Sequence, residues 1–502
     1  MSRRTVIGSI LVVAFFGMLV GWAVSSPVGA SPDDDYHLAS IWCSPFSDSH
    51  PCTEVTDVVG SPTLLVPSTV VAAHSCFAFQ PEITADCVET NASGERMTDR
   101  INQIQRLYPA GFYTIHSVFA TSDFTSSVLR MRLFNAFIAS ALVALLLILC
   151  SPAIRASALL AIPVMVVPTG LFIVASTNPS SWVVLGTLFF FLFMVNALMR
   201  HRRDRSYWAS LALAIVCASM AMLSRIDGSA FVVVVSIAAG ILMFPRRNEA
   251  HRTSWIALIV IGLSALASFF LQGSGPVGSP DRIGDSKYVG GLLVDNILEI
   301  PGFFTGIVGP SPLGWVDTRM PGLVSAAALI ALGGVLLWGI QEMHRAKTVA
   351  VVLLAGATLG LPVFVAQQER IAVLDFVQSR YLLPLALVLV VVIVGSMPRE
   401  RREPFPRVPH GVVTALLSVS AVVALWVNFH RYAFGADQPF VSRDMVMAWQ
   451  GLSGGATVPL LIVASCACVV FFVLSQWMYG QTDDDADFKN ADAANVAGVQ
   501  RT

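Results

Sequence analysis

Three consecutive carboxylates and an imidazole follow the first apolar segment of the chain. The residues are Asp33, Asp34, Asp35 and His37, and they come soon after an apolar run at 6–24. Charged groups at the mouth of a membrane span are costly unless solvent, a cation or a substrate uses them. This acidic cluster is therefore where the sequence first indicates chemistry.

Adjacent carboxylates suit two kinds of reaction. Like-charge repulsion raises the pKa of at least one of them unless a cation or a basic group is near. Such a carboxylate can act as general base toward a hydroxyl, and the pair Asp33 and Asp34 can instead hold Mg²⁺ or Mn²⁺ against a phosphate. His37 shares their face if the segment is helical, and it could orient them or protonate a departing phosphate. The alternative is a helix N-cap that faces water.

The composition identifies a membrane protein. Of 502 residues, 55% are hydrophobic and only 13% are charged, which is too few charges for the surface of an ordinary soluble protein of this size. The net charge of -1 and the lack of a dense basic patch exclude a nucleic-acid partner. The sequence also contains no phosphate-binding glycine motif, so ATP-driven transport and Rossmann chemistry are not expected.

Twelve apolar runs are long enough to cross a bilayer. They lie near 6–24, 133–150, 156–175, 181–199, 207–223, 229–244, 254–271, 321–340, 348–366, 381–396, 411–428 and 457–476. If the N-terminus is cytoplasmic, most arginines fall in the short segments on the cytoplasmic side. This distribution agrees with the positive-inside rule and predicts that both termini are cytoplasmic. The runs at 207–223 and 229–244 are joined by few residues, so a re-entrant pair is the competing interpretation. The predicted fold is an all-α polytopic membrane protein with about twelve helices.

The two ends of the chain carry further signals. Arg3, Arg4, the apolar run and Val28-Gly29-Ala30 also resemble a cleavable signal peptide, but the run is longer than a signal peptide needs, which favours a retained helix at 1–24. The segment 477–502 is rich in aspartate and poor in large apolar residues, so it is predicted to be a disordered acidic cytoplasmic tail.

Most of the mass outside the membrane lies in one predicted outer loop at 25–132. It contains Cys43, Cys52, Cys76 and Cys87. In an oxidising compartment these predict two disulfides, with three possible connectivities, and a zinc site is the alternative. The multi-span domain follows at 133–476, with smaller outer loops near 272–320, 367–380 and 429–456.

Two features of the outer side are weaker signals. Apolar residues at Met97, Ile101, Ile104 and Leu107 repeat at helical spacing, which predicts an amphipathic helix on the membrane surface or on the loop domain. Tyr108, Pro109, Phe112 and Tyr113 follow, and this aromatic cluster favours an interfacial anchor, with a sugar-binding platform as the alternative. Arg225 and Asp227 are a weaker candidate pair for a site on the same outer face, and a local ion pair in a tight turn is the favoured interpretation.

Two short motifs resemble a bacterial family of multi-span proteins that is placed near the GT-C glycosyltransferases. Pro32-Asp33-Asp34-Asp35-Tyr36-His37 is similar to the family's P-D-(E/D)-x-x-H motif after the first span. Gln378-Ser379-Arg380-Tyr381-Leu382-Leu383-Pro384 is similar to its late Q-G-R-Y-(L/F)-x-P run. Ser379 departs from the family's glycine, and Asp35 blurs which carboxylate matches the second acidic position, although adjacency favours Asp34.

The resemblance implies glycosyl transfer at the outer face of a bacterial plasma membrane. The donor would be a sugar on a polyprenyl phosphate, and the acceptor an envelope glycan or lipid. Asp33 or Asp34 would be the base or metal ligand, and Gln378, Arg380 and Tyr381 would bind substrate. Arg380 would pair with the donor phosphate, because a guanidinium matches phosphate oxygens, unless it only snorkels to lipid headgroups.

Two other classes of function remain open. A transporter or lipid flippase would place ionisable groups or broken helices near the bilayer midplane, and such proteins often contain internal repeats. A scaffold for envelope assembly would use the stapled outer loop as a binding surface. The three classes differ in whether Asp33, Asp34, His37 and Arg380 meet in one outward-facing site.

Overall fold

The computed structural model describes residues 3–58, 60–88, 93–272, 291–373, 378–395, 397, 406–439 and 456–499. Nineteen α-helices are defined within these ranges. They are α1 (Arg3–Val24), α2 (Asp34–Trp42), α3 (Ser68–Ala72), α4 (Asn102–Gln105), α5 (Gly111–His116), α6 (Phe124–Leu149), α7 (Pro152–Val166), α8 (Thr169–Val174), α9 (Ser180–Met199), α10 (Arg205–Met222), α11 (Ile226–Met243), α12 (Arg252–Leu271), α13 (Leu292–Leu298), α14 (Ile300–Thr305), α15 (Gly322–Gly339), α16 (Arg345–Glu369), α17 (Leu383–Val394), α18 (Arg407–Phe434) and α19 (Thr457–Val499).

Ten helices in the described ranges are long and apolar enough to cross a membrane, which confirms the polytopic prediction. They are α1, α6, α9, α10, α11, α12, α15, α16, α18 and α19. The two other predicted spans correspond to shorter apolar helices, Pro152–Val166 and Ser379–Val394. The run at 156–175 is divided into α7 and α8 because Pro168 follows α7, and proline cannot donate the next helical hydrogen bond.

The membrane domain has a buried centre and a lipid-facing rim. In the most apolar 18-residue stretch of α9, 94% is buried inside the protein, whereas in that of α12 only 22% is buried. A helix that is apolar on every side is stable at the centre of a bundle or against lipid, so hydropathy alone does not separate the two. α10 and α11 are distinct helices with their connection at Leu223–Arg225.

The domain between α1 and α6, called the outer domain after its predicted side of the membrane, contains a small antiparallel sheet, which the all-α prediction missed. Strand β2 (Pro62–Pro67) pairs with β1 (Glu54–Thr56) on one side and with β3 (Glu95–Thr98) on the other. Two disulfides, Cys43–Cys52 and Cys76–Cys87, confirm the prediction of two bonds and select sequential pairing from the three possibilities. Each bond closes a short loop next to α2 or α3.

The predicted amphipathic helix over Met97–Leu107 is wrong. Met97 lies in β3 opposite Leu65 of β2, and only Asn102–Gln105 is helical before Arg106 ends the turn at a φ of 52°. The backbone hydrogen bonds of the sheet and the full burial of Ile101 decide the local structure. Phe112 and Tyr113 are also buried within the outer domain, so they are core residues rather than interfacial anchors.

Other predicted segments stay predictions or lie partly outside the described residues. The backbone of α19 continues as helix to Val499 through the acidic segment predicted to be disordered. Its alanines have high helix propensity, and extension of an existing helix needs no new nucleus. Of the predicted loops near 272–320, 367–380 and 429–456, residues 273–290, 374–377 and 440–455 lie outside the described residues.

A buried arginine joins the outer domain to the membrane domain. Arg431, in the last turn of α18, donates to the carbonyl oxygens of Phe77, Gln80 and Ile83 at 3.1, 3.0 and 2.7 Å. It also donates to Asp317 at 2.8 Å, and both side chains are only 2% exposed. The contact docks the loop that contains the Cys76–Cys87 disulfide onto the end of α18.

Arg431→Ala should lower the free energy of unfolding by about 3–5 kcal/mol, because it leaves Asp317 as a buried charge without its partner. Asp317→Asn should cost less, about 1–3 kcal/mol, because Arg431 keeps its three carbonyl acceptors. Thermal unfolding of the purified protein in detergent would rank the variants, with the exposed Arg96→Ala as control. Equal effects of Arg431→Ala and Asp317→Asn would contradict this account.

Candidate functional site

Asp33 is presented at the start of α2 by an uncommon backbone conformation. Its φ is 56° and its ψ is 28°, in the left-handed region that Asp tolerates better than most residues. It occupies the N-cap position, but its side chain makes no capping hydrogen bond and is 40% exposed. The carboxylate of Asp33 is therefore directed to something other than the helix.

Two guanidinium groups flank the Asp33 carboxylate. Nη2 of Arg380 lies 3.6 Å from Oδ2, and Nη2 of Arg100 lies 3.7 Å from Oδ1. Arg100 is held in place by Asp35, whose carboxylate accepts from its Nε at 2.6 Å and from its Nη2 at 3.3 Å. The side chain of Arg100 is 49% exposed, whereas that of Arg380 is 7% exposed. Asp33 thus lies between a surface cation and a buried one.

Arg380 projects from a single 3₁₀ turn, Ser379–Leu382, that leads into α17. The turn begins where the N–H of Tyr381 donates to the carbonyl oxygen of Gln378 at 3.0 Å. The Ser379 hydroxyl lies 2.9 Å from that of Ser311, and both crowd Gly306, where a Cβ would overlap them. Gly306 thus leaves room for the side chain of Ser379.

Asp34 is completely buried and serves the turn itself. Its Oδ1 accepts from the Thr177 hydroxyl at 2.6 Å, and its Oδ2 accepts from the Ser31 N–H at 3.0 Å. Burial raises the pKa of Asp34 to about 6, although the Arg132 guanidinium and the hydrogen bonds from Thr177 and Ser31 oppose the shift. Because both oxygens are engaged inside the protein, Asp34 holds the chain that presents Asp33.

His37 is buried behind Asp33 among tyrosines. Its Nδ1 lies 3.0 Å from the Tyr113 hydroxyl, and the ring packs edge-on against Tyr36 and Tyr108 at centroid distances of 5.6 and 5.2 Å. Nε2 is buried, with no hydrogen-bond partner among the described residues. Burial, and then the charges of Arg225, Arg380 and Arg100, hold the pKa of His37 well below its usual value. His37 is therefore neutral at neutral pH.

Arg225 links the outer domain to the Arg380 turn. As predicted, it pairs with Asp227, with three contacts between 2.8 and 3.2 Å. Its guanidinium also lies 5.5 Å from the ring centroid of Tyr108 and 4.7 Å from that of Tyr381. Cation–π contacts of this kind are stabilising, particularly where water is excluded. Tyr381 in turn accepts from Nη2 of Arg380 at 3.3 Å.

The predicted metal ligands Asp33 and Asp34 have other partners in the structure. In the described ranges, no three or more His, Cys, Asp or Glu side chains form a group that could hold one. Both oxygens of Asp34 accept internal hydrogen bonds, and Asp33 is flanked by two cations. Metal ligation by Asp33 and Asp34 stays a prediction, and it would need a substrate phosphate to supply further ligands.

Of the residues singled out in the sequence, Asp33, Asp34, His37 and Arg380 lie around one turn. Tyr381 contacts Arg380, and Gln378 contributes its backbone carbonyl. The sequence reasoning missed Arg100, Thr177 and Tyr113, because nothing in their local sequence separates them from residues that only support the fold. The catalytic and binding roles of the residues that the sequence singled out stay predictions.

One family of known proteins matches this chain. The family described as "Predicted membrane protein (DUF2142)" matches residues 16–389. The chain belongs to this family. The DUF2142 match includes the acidic cluster after α1 and the Arg380 turn before α17, and the family description assigns no activity. No curated protein and no solved structure matches the chain significantly.

The burial of Asp34 in this DUF2142 protein predicts a pH dependence. Its pKa is about 6 in the folded protein against 3.8 normally, so folding binds a proton between these values. The stability that this carboxyl contributes is present below about pH 4 and is lost as the pH rises through 6, by about 3 kcal/mol. The stability of wild type relative to Asp34→Asn should therefore fall as the pH rises from 4 to 7, as measured by thermal unfolding. A difference that stays constant with pH would contradict the assignment.

Proposed function

We propose that this DUF2142 protein is a membrane glycosyltransferase of GT-C type. It would move a sugar from a polyprenyl-phosphate donor to an envelope glycan or lipid acceptor at the outer membrane face. The proposal rests on one observation, which is that the partly exposed Asp33 carboxylate lies 3.6 Å from the buried Arg380 guanidinium. The chemistry needs a base for the acceptor hydroxyl beside a cation for the leaving phosphate.

Arg380 is the arginine best suited to bind the phosphate. Arg100 and Arg225 make close contacts with Asp35 and Asp227, at 2.6 and 2.8 Å. The contact of Arg380 with Asp33 is longer, and its Nε is buried without a hydrogen-bond partner among the described residues. A buried guanidinium with an unused donor favours an anion with two oxygens that can accept side by side, such as a phosphate, and low solvent exposure strengthens the attraction.

Asp33 has the position expected of the base. Its carboxylate is accessible and lacks a capping role, so an acceptor hydroxyl can approach it. It would take the hydroxyl proton as the oxygen attacks the anomeric carbon, while the bond from that carbon to the phosphate oxygen breaks. Arg380 would stabilise the charge that develops on the phosphate. The lowered pKa of His37 favours an orienting role over protonation of the phosphate.

The transporter alternative receives less support. In a transporter, buried ionisable groups line a path near the midplane. Here Arg132, in the third turn of α6, donates to the carbonyl oxygens of Ala23, Ser26 and Pro27 at 2.8–3.1 Å. Arg431 is likewise fixed by carbonyl oxygens at the end of α18. Both arginines stabilise the fold near helix ends, and neither is placed to line a transport pathway.

Asp33→Asn should reduce transfer by at least about 10²–10⁴-fold, because the base is lost while the shape is kept. The assay is incubation of the purified protein with labelled polyprenyl-phosphate sugars, with Mg²⁺, with Mn²⁺ and with a chelator. Asp34→Asn should also abolish transfer, through misplacement of Asp33. The matched control is Asp48→Asn, which removes an exposed carboxylate from the same outer domain. Full activity of Asp33→Asn would refute the assignment of the base.

Arg380→Ala should weaken use of the donor more than use of the acceptor. Loss of a charged hydrogen bond costs about 1.5–3 kcal/mol, so the donor KM should rise by about 10–100-fold while the acceptor KM changes little. Arg380→Lys, which keeps the charge but not the planar fork, should fall between Arg380→Ala and wild type. Arg96→Ala is the matched control. Equal changes in both KM values would argue that Arg380 only supports the turn.

A further inference from the structure

A cleft of about 670 Å³ lies far from Asp33, at the other end of α1. Its walls come from α1, α6 and α19, and they include Val12, Val13, Leu147 and Ile148. Arg4 and Arg155 also line it. The volume is in the range of small-molecule sites in proteins. Nothing in the proposed glycosyl transfer uses this cleft.

The membrane determines what can fill such a cleft. α1, α6 and α19 are membrane-spanning helices, and the wall residues Val13 and Ile148 are 69% and 74% exposed. Water against these apolar walls is unfavourable, and an empty space forfeits dispersion contacts with the lining atoms. A lipid chain satisfies both requirements, because it is apolar, flexible and present on every side of the protein.

The charged end of the cleft adds a preference for an anion. The residues described as lining it include two arginines and no Asp or Glu. Arg155 is half-buried, its Nη1 donates only weakly to the carbonyl oxygen of Leu147 at 3.3 Å, and its Nε is buried with no partner among the described residues. Arg4 and Arg200 act on Arg155 as like charges. A phosphate at this position relieves the repulsion and takes up the unused donor.

We propose that this cleft binds an anionic phospholipid, with its phosphate on Arg4 and Arg155 and an acyl chain along α1 and α6. A zwitterionic lipid brings a cationic headgroup toward the two arginines, so a lipid with net negative charge is preferred. The positive-inside rule predicts that the lipid comes from the cytoplasmic leaflet. The proposal does not depend on the glycosyltransferase activity.

Trp477 supplies the readout, because it lines the cleft and its ring lies 5.5 Å from the Arg3 guanidinium. The purified full-length protein is reconstituted in phosphatidylcholine vesicles that contain a small fraction of brominated lipid. The emission of Trp477 is obtained by subtracting the fluorescence of Trp477→Phe from that of wild type. Brominated phosphatidylglycerol should quench this emission several-fold more efficiently than brominated phosphatidylcholine at the same fraction. Equal quenching by the two lipids would overturn the proposal.

Variants of the two arginines test the source of the preference. Arg4→Gln changes an exposed residue in the first turn of α1 and should lower the preference by about fivefold. Arg4→Gln/Arg155→Gln should abolish it, and Arg96→Ala should leave it unchanged. Quenching by brominated phosphatidylcholine should stay the same in all of them, which shows that the helices still pack. A preference retained in the double variant would refute the role of the arginines.

A third arm separates phospholipid from other lipid phosphates. Polyprenyl phosphate added to the vesicles should displace brominated phosphatidylglycerol no better than an equal amount of unlabelled phosphatidylglycerol does. Stronger displacement would overturn the assignment to phospholipid. Gly8→Leu should reduce quenching by brominated phosphatidylglycerol at least severalfold, since a Cβ at Gly8 would meet Leu147 and Met478 at an ordinary 3.8 Å and a longer side chain occupies the cleft. Unchanged quenching in Gly8→Leu would place the lipid elsewhere.

Discussion

The buried carboxylate of Asp34 determines the geometry on which the candidate site depends. It binds the N–H of Ser31 behind it and the hydroxyl of Thr177 in the segment before α9. The same turn is held by Asn178, which donates to the carbonyl oxygen of Pro32 at 2.9 Å. A buried carboxylate is costly, and the cost is acceptable only because several donors and the Arg132 guanidinium offset it. The consequence is a chain fixed on both sides of Asp33, which can then hold a left-handed backbone and an outward carboxylate.

Charge balance gives the site its second property. Arg100 and Arg225 each have a carboxylate of their own, in Asp35 and Asp227, at 2.6 and 2.8 Å. Burial, and then the charges of Arg225, Arg380 and Arg100, lower the pKa of His37. Of these three arginines, Arg380 has a buried Nε with no hydrogen-bond partner among the described residues. Three arginines in one place thus have different tasks, because their partners differ. Sequence composition cannot distinguish these tasks, whereas the hydrogen-bond pattern does.

The sequence predicted the parts of the structure that depend on local pattern. The apolar runs, the two disulfides and the Arg225–Asp227 pair are set by composition or by neighbours a few residues apart. Contacts between distant residues were not predictable, since Arg100 is 65 positions from Asp35 and Thr177 is 143 from Asp34. The error at Met97–Leu107 has the same origin. Helical spacing over so few turns also fits a strand followed by a buried residue. The pairing of β3 with β2, which the local sequence does not show, determines that this segment begins as a strand. Asp33 and Arg380 were found through motifs rather than through physical pattern.

In the proposed reaction, the burial of Arg380 would favour a lipid-linked phosphate over a soluble anion as its partner. Arg380 lies in the 3₁₀ turn just before α17, a helix whose residues are all buried, and its side chain is 7% exposed. A soluble anion would have to give up its hydration to reach this guanidinium, and the penalty is large for a small, strongly charged ion. A phosphate carried on a hydrocarbon chain is already held at the interface by burial of that chain, so part of this penalty is met before the ion pair forms. Asp33, at the more exposed side of the same ion pair, remains open to an acceptor from the aqueous phase.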